Sequence, residues 1–417
     1  MKLSVIIVSY NVKYYLAQCL RSVEKAIGVL ECGQQGDASG DTAEIIVVDN
    51  HSQDGTVEYL EQCFPASRYP NLHVVACTHN NGFARANNLA IRKSESDLVL
   101  LLNPDTIIGE HVLKDAVSFM RSHPDAGALG VRMLGANGKP APESRRGLPS
   151  PMVAFYKMMG LCSRFPQHRS FGHYYMGYLP WDKPAKIEVV SGAFCMIRRE
   201  ALLKVGLLDE DFFMYGEDID LSYRILKGGY QNYYLPVDIL HYKGESTQKS
   251  SFRYVHVFYE AMLIFFRKHN SGMSLLLTVP ISAAIYARAS VAAFGMLLSK
   301  LRKSLGFTPR REASPRYLFL GSQQMLDDCR ALSMENGLDA QFVLADAQTM
   351  PDGHLSVSVQ AMLQGMGKSV VNIVYDADSY DYQCIFGLFM QQPQRQWRIG
   401  TYHAATHKIV TDRDVIS

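Results

Sequence analysis

Along the first 130 positions, apolar runs of about five residues alternate with stretches of helical spacing, and each run ends in short polar side chains. Residues 3–8 lead to Ser9, Tyr10 and Asn11; residues 44–48 lead to Asp49, Asn50, His51 and Ser52. Residues 98–102 are apolar throughout and lead to Asn103, Pro104 and Asp105, which suits a strand buried on both faces of a parallel sheet. Between them, Leu16, Leu20 and Val23 fall on one face of a helix over 13–27, and Val57 and Leu60 mark another. Residues 28–41, rich in Gly, Gln and Asp, read as a surface loop. Further strands are expected over 72–76 and 128–131 and a helix over 110–122, so the alternation predicts an α/β fold with a mostly parallel sheet.

Residues 133–186 carry no regular pattern, and Arg145 and Arg146 within them are expected in solvent. An apolar strand over 188–198 is interrupted by Ser191, Gly192 and Ala193, small residues that let a bulky group approach the backbone. Glu217, Asp218 and Asp220 fall in the first turn of a helix whose other face carries Ile219, Tyr223 and Leu226. A strand over 231–235 leads towards His241. Residues 254–268 form a helix more apolar than a surface helix should be. Residues 275–298 are almost wholly apolar apart from Arg288 and end in Lys300, Arg302 and Lys303, a pattern that fits peripheral attachment to a membrane surface. A Pro- and Arg-rich linker over 306–315 precedes a tail that alternates again and predicts a small α/β domain of unknown role. The expected division is 1–270, 271–305 and 316–417.

At 417 residues the chain exceeds a single compact core, and 47% hydrophobic with 20% charged residues describes a globular protein. A net charge of +2 gives no reason to propose nucleic acid as a partner. The 8 cysteines show neither CxxC pairs nor metal-ligand spacing and read as reduced thiols in a cytoplasmic protein. The amino-terminal apolar run is too short for a signal segment and is read as a first strand.

Chemistry concentrates at the strand ends, where open α/β sheets bind ligands. Asn-Pro-Asp is ordinary turn chemistry, but a carboxylate there can also hold a hard divalent cation against a diphosphate. Asp54 and Ser52 are natural caps of the helix that follows, whereas Asp49 closes a strand before the cap. Gly82 at a strand-to-helix junction lets the backbone approach a ligand, and Asn87 and Asn88 inside a helix call for polar partners. Acids at a helix start are common dipole complements, yet the apolar Phe212, Phe213, Met214 and Tyr215 beside Asp218 would desolvate it and suit it to act as a base.

In this order, Ser9-Tyr10-Asn11, Asp49-Asn50-His51-Ser52, Asn80-Asn81-Gly82-Phe83-Ala84, Asn103-Pro104-Asp105, Gly192-Ala193-Phe194 and Gly216-Glu217-Asp218 resemble the inverting glycosyltransferases of family two, with the GT-A fold, and in particular their rhamnosyltransferase-like members. The resemblance covers roughly residues 1–269. It implies a nucleotide-diphosphate sugar donor lying across the strand ends, its base near Ser9, Tyr10 and Asp49 and its ribose and diphosphate near Asn81, Asn103 and Asp105. Asn11, Gly82, Gly192 and Glu217 join the implied substrate site. Asp105 and His241 would hold Mg²⁺ or Mn²⁺, Asp218 would be the general base, and the acceptor would be a glycan or a lipid-linked saccharide. Asn103 departs from the pattern, since many relatives carry a carboxylate there, and one fewer anion weakens metal binding. Two other readings compete. A sugar nucleotidyltransferase should show a glycine-rich basic loop after the first strand, which Ser9-Tyr10-Asn11 lacks. A non-catalytic binding protein should have lost Asp218 or Asp105, and both are present.

Overall fold

The computed structural model describes residues 1–32, 40–242, 314–367 and 369–417, with scattered positions between 260 and 304. Four parallel strands, β1 (Lys2–Ser9), β2 (Thr42–Asp49), β3 (Leu72–Ala76) and β4 (Leu98–Leu102), pair in the order β3-β2-β1-β4. The sheet continues with β5 (Thr106–Ile108), β6 (Ala126–Leu134), β7 (Ala185–Ile187), β8 (Phe194–Arg198) and β9 (Gln231–His241), in the order β8-β6-β9-β5 with β7 on β9. β8 runs antiparallel to β4, so direction changes beside the strand that carries Asn103 and Asp105.

The helices are α1 (Lys13–Glu31), α2 (Thr56–Cys63), α3 (Phe83–Lys93), α4 (Val112–Ser122), α5 (Pro151–Met158), α6 (Leu161–Arg164), α7 (Arg199–Val205) and α8 (Glu217–Lys227). Because side chains alternate along a strand, β4 feeds two cores. Leu98, Leu100 and Leu102 pack with Leu16, Leu20 and Met120 from α1 and α4, while Val99 and Leu101 pack with Ala90 and Ile225 from α3 and α8. Burial on both faces explains the uninterrupted apolar run. The strand expected over 188–198 is shorter: Phe194 N–H donates to Ser191 O at 3.2 Å, making Ser191, Gly192 and Ala193 a turn that delivers the chain into β8. The region expected to be irregular holds α5 and α6, with Ser150 capping α5 through Val153 N–H at 3.2 Å.

A second sheet, β11-β10-β12-β13-β14-β15, forms from β10 (Arg316–Gly321), β11 (Asp339–Leu344), β12 (Val371–Asp376), β13 (Trp397–His403), β14 (Lys408–Val410) and β15 (Val415–Ile416). Helices Gln323–Asn336, Val357–Gly365 and Tyr382–Gln391 accompany it. It shares a continuous apolar core with the first sheet: Val12, Tyr15, Ile107, Leu134 and Leu240 meet Tyr382, Phe386, Phe389 and Ile399. Buried Glu110 accepts the N–H groups of Tyr382 at 2.8 Å and Gln383 at 3.0 Å, satisfying orphan donors at that helix's start. The apolar stretch expected over 275–298 lies outside the described residues except for isolated positions. No helix among the described residues is long and apolar enough to cross a membrane.

Candidate active site

Ser9 and Asp49 are register partners at the ends of β1 and β2. Asp49 is buried; its Oδ2 accepts from Ser52 N–H at 3.0 Å, while its Oδ1 and the Ser9 Oγ have no hydrogen-bond partner. Tyr10 is exposed beside them. Asn11 sits in the left-handed region with φ +56°; its N–H reaches Ser52 Oγ at 2.9 Å and its Oδ1 accepts from Gln53 N–H at 2.6 Å, so this side chain ties the two strand-end loops together. Asp54 accepts from Lys13 N–H at 3.1 Å and thereby caps α1, not the helix that follows it. Asn50 Oδ1 accepts from Asn81 N–H at 2.9 Å, and Asn81 Nδ2 donates to His79 O at 3.1 Å.

Gly82 has φ +78°, and a Cβ there would lie 2.6 Å from Phe213 O. Its freedom admits the backbone of the loop before α8, which is held by Phe83 N–H to Phe213 O at 2.8 Å. Asn88 finds the polar partners its position calls for, Leu208 O at 2.8 Å and Glu210 Oε1 at 2.9 Å.

Asp105 and His241 meet through a pairing that the sequence pattern did not disclose. The three-residue β5 runs antiparallel to the end of β9 with Thr106 opposite His241, and Tyr242 N–H donates to Asp105 O at 3.0 Å. His241 Nε2 then lies 3.4 Å from Asp105 Oδ1 and 3.4 Å from Asn103 Nδ2. Asp105 is only 2% exposed, and its Oδ1 has no hydrogen-bond partner. No group of three or more His, Cys, Asp or Glu suited to a metal occurs among the described residues.

Asp218 reaches the same end of the sheet. Its Oδ2 accepts from Gly192 N–H at 3.3 Å, and the adjoining Ala193 O accepts from Asn103 N–H at 3.1 Å. Two hydrogen bonds thus link the start of α8 to the end of β4. Asp218 Oδ2 also pairs with Arg146, which corrects the expectation that Arg146 faces solvent. The Arg146 guanidinium is buried against Val190 O, 3.4 Å away. Arg145 is buried too: it lies 3.5 Å over the Trp181 ring and donates to Leu179 O. Both arginines sit in a stretch without regular period, where nothing in the pattern marks a buried face.

The Asp218 side chain is 16% exposed, and its neighbour is more deeply buried. Glu217 is buried, its Oε2 has no hydrogen-bond partner, and burial, followed by the charge of Asp218, pushes its carboxyl up to about 8. A separate small pocket between α1 and the second sheet is lined by Gln18, Arg21, Tyr382 and His403 among others, and by none of the strand-end residues above or Asp218.

Residues 4–206 match the family model "Glycosyl transferase family 2". The chain carries a glycosyl transferase family 2 domain. This glycosyltransferase is 26% identical over 279 residues to the N-acetylglucosaminyl-diphospho-decaprenol L-rhamnosyltransferase of Mycobacterium tuberculosis, covering 62% of this chain and 85% of the relative. It is 31% identical over 145 residues to the poly(ribitol-phosphate) beta-N-acetylglucosaminyltransferase TarS of Staphylococcus aureus, covering 34% of this chain and 23% of that one. Among solved structures it is similar to the Pyrobaculum calidifontis mannosyltransferase in complex with GDP-mannose and Mn²⁺, with a TM-score of 0.42, 19% identity, and coverage of 73% of this chain and 80% of the other.

Proposed function

We propose that the glycosyltransferase moves a sugar, with inversion, from a nucleotide-diphosphate donor to a hydroxyl of a lipid-linked or polysaccharide acceptor in cell-surface glycan synthesis. One observation carries this reading. Four buried oxygens without hydrogen-bond partners, Ser9 Oγ, Asp49 Oδ1, Asp105 Oδ1 and Glu217 Oε2, belong to residues at strand ends or at the start of α8. Native proteins rarely leave such groups unsatisfied, and a polar ligand across the carboxyl ends of β1, β2 and β4 accounts for them together.

In this reading Ser9, Tyr10 and Asp49 receive the base, and Asn81, Asn103 and Asp105 face the ribose and diphosphate. Asp105, whose buried Oδ1 has no hydrogen-bond partner, and the adjacent His241 would hold Mg²⁺ or Mn²⁺. Bound there, the cation supplies charge stabilisation to the departing diphosphate. Asp218 accepts the proton from the acceptor hydroxyl as that oxygen forms its bond to the anomeric carbon and the bond to diphosphate breaks. Arg146 and Gly192 N–H fix the Asp218 carboxylate for this transfer.

L-Rhamnose is the first sugar to test, because the M. tuberculosis relative transfers it to a diphospho-decaprenol acceptor. The test incubates the protein with dTDP-, UDP- and GDP-sugars and membrane extract, with and without EDTA, and measures released nucleoside diphosphate. Acceptor-dependent release from one donor, lost with EDTA, supports the reading. Formation of nucleoside triphosphate and sugar 1-phosphate when pyrophosphate is added would instead support a nucleotidyltransferase.

A further inference from the structure

From Ser144 to Trp181 the sequence contains no Asp or Glu; the flanking acids are Glu143 and Asp182. The same stretch contains Lys157, Arg164 and Arg169, in addition to the buried Arg145 and the 13% exposed Arg146. It also contributes four of the large apolar side chains most open to water: Met152 at 54%, Phe155 at 48%, Met159 at 62% and Phe165 at 46% exposed. All four lie on α5, on α6 or within one residue of their ends. A soluble surface does not gather such residues without a partner, whereas single exposed apolar residues are ordinary. Tyr156 of α5 and Phe165 beside α6 both pack on Phe171, joining the two helices, and their segment carries cations and no acidic residue.

We infer that α5 and α6 form a contact surface for an anionic lipid bilayer. Their apolar side chains enter the boundary between headgroups and acyl chains, and Arg164 and Arg169, both exposed, meet lipid phosphates. Charge selects this occupant. A protein partner of mixed surface has no need of a stretch of 38 residues without a carboxylate, while a negatively charged leaflet repels any carboxylate in it.

The position suits the chemistry. Near its start the segment carries Arg146, which pairs with Asp218, and Gly147 N–H donates to Tyr174 O at 3.1 Å, joining the segment's later part to the residue beside that pair. A saccharide presented on a lipid anchored in that bilayer would meet Asp218 without leaving the membrane surface. This inference rests on the acceptor class proposed above, and its test does not use turnover, so either can fail alone.

The full-length protein is sedimented with vesicles of phosphatidylcholine alone or with 30% phosphatidylglycerol at 0.1 M salt. Wild type is expected to bind the anionic vesicles and to release as salt is raised. Arg164→Glu with Arg169→Glu should weaken binding by at least about fivefold for each charge removed. Phe155→Ser with Met159→Ser should weaken it on both vesicle types. Leu203→Ser, at a position 77% exposed on α7, should bind as wild type does. All five substituted positions sit at the surface or within the patch, and circular dichroism verifies folding. Absence of wild-type binding overturns the inference, as does undiminished binding by both double variants, which would assign attachment to the 271–305 stretch.

Discussion

Arg146 and Asp218, 72 positions apart in the chain, form an ion pair shielded from solvent at the start of α8. The pair orients a carboxylate that would otherwise rotate freely, and it makes each partner's burial depend on the other. Removing one member strands a charge in a poorly solvated setting, a change that costs about 3–5 kcal/mol. Arg146→Ala should therefore lower the urea midpoint strongly. Adding Asp218→Asn should recover part of the loss, because the stranded charge is gone; a further additive loss would contradict the pairing.

Glu217 makes stability depend on pH in a known direction. Its carboxyl sits at about 8 in the folded protein, against the ordinary carboxylate range once unfolded. Between those values the folded state binds the extra proton, so this group lowers stability as pH rises from about 5 to 8. The slope from a single such group is at most about 1.4 kcal/mol per pH unit. Glu217→Gln should remove this slope, leaving stability near pH 5 little changed and raising it near pH 8. Thermal unfolding across that range in the ligand-free protein checks it.

Asp105 and His241 should act together on divalent cation. His241→Ala and Asp105→Asn are each expected to raise the Mn²⁺ concentration needed for half-maximal turnover at least tenfold, with Asp105→Asn the more severe because it removes the anionic ligand. Manganese titration of activity measures both. Unchanged requirements would separate the metal from this pair.

Glu110 tests how firmly the second sheet is joined to the first. Glu110→Ala leaves the N–H groups of Tyr382 and Gln383 buried without their acceptor, at a cost of about 1–3 kcal/mol. Amide exchange at 382–385 should speed up, while exchange within β1 and β4 stays slow.

The alternation of apolar runs made the parallel block legible, and β4 shows why: a strand covered on both faces must be apolar throughout. The polar residues that end β1, β2 and β4 could be read as a site because sheet geometry alone brings strand ends together. What escaped is set by long-range contacts. β5 is three residues long, too short for any period, yet it carries Asp105 to His241. Arg146 is fixed by a partner on another element within a stretch of short helices and turns. That Glu217 is the more deeply buried of the two adjacent carboxylates depends on which side chain turns inward, a matter of one helical position. Asn11 and Gly82, expected at the substrate site, also lock loops together, a role that sequence alone does not separate from ligand contact.

Asp218→Asn tests the central claim most directly, because it keeps the shape of the side chain and removes its capacity to take a proton. With the donor found by the nucleotide-sugar panel, single-turnover transfer should fall at least about a hundredfold, the low end of what a positioned base contributes, while nucleotide diphosphate affinity stays within about threefold of wild type. Transfer by Asp218→Asn at a rate near that of wild type would contradict the account.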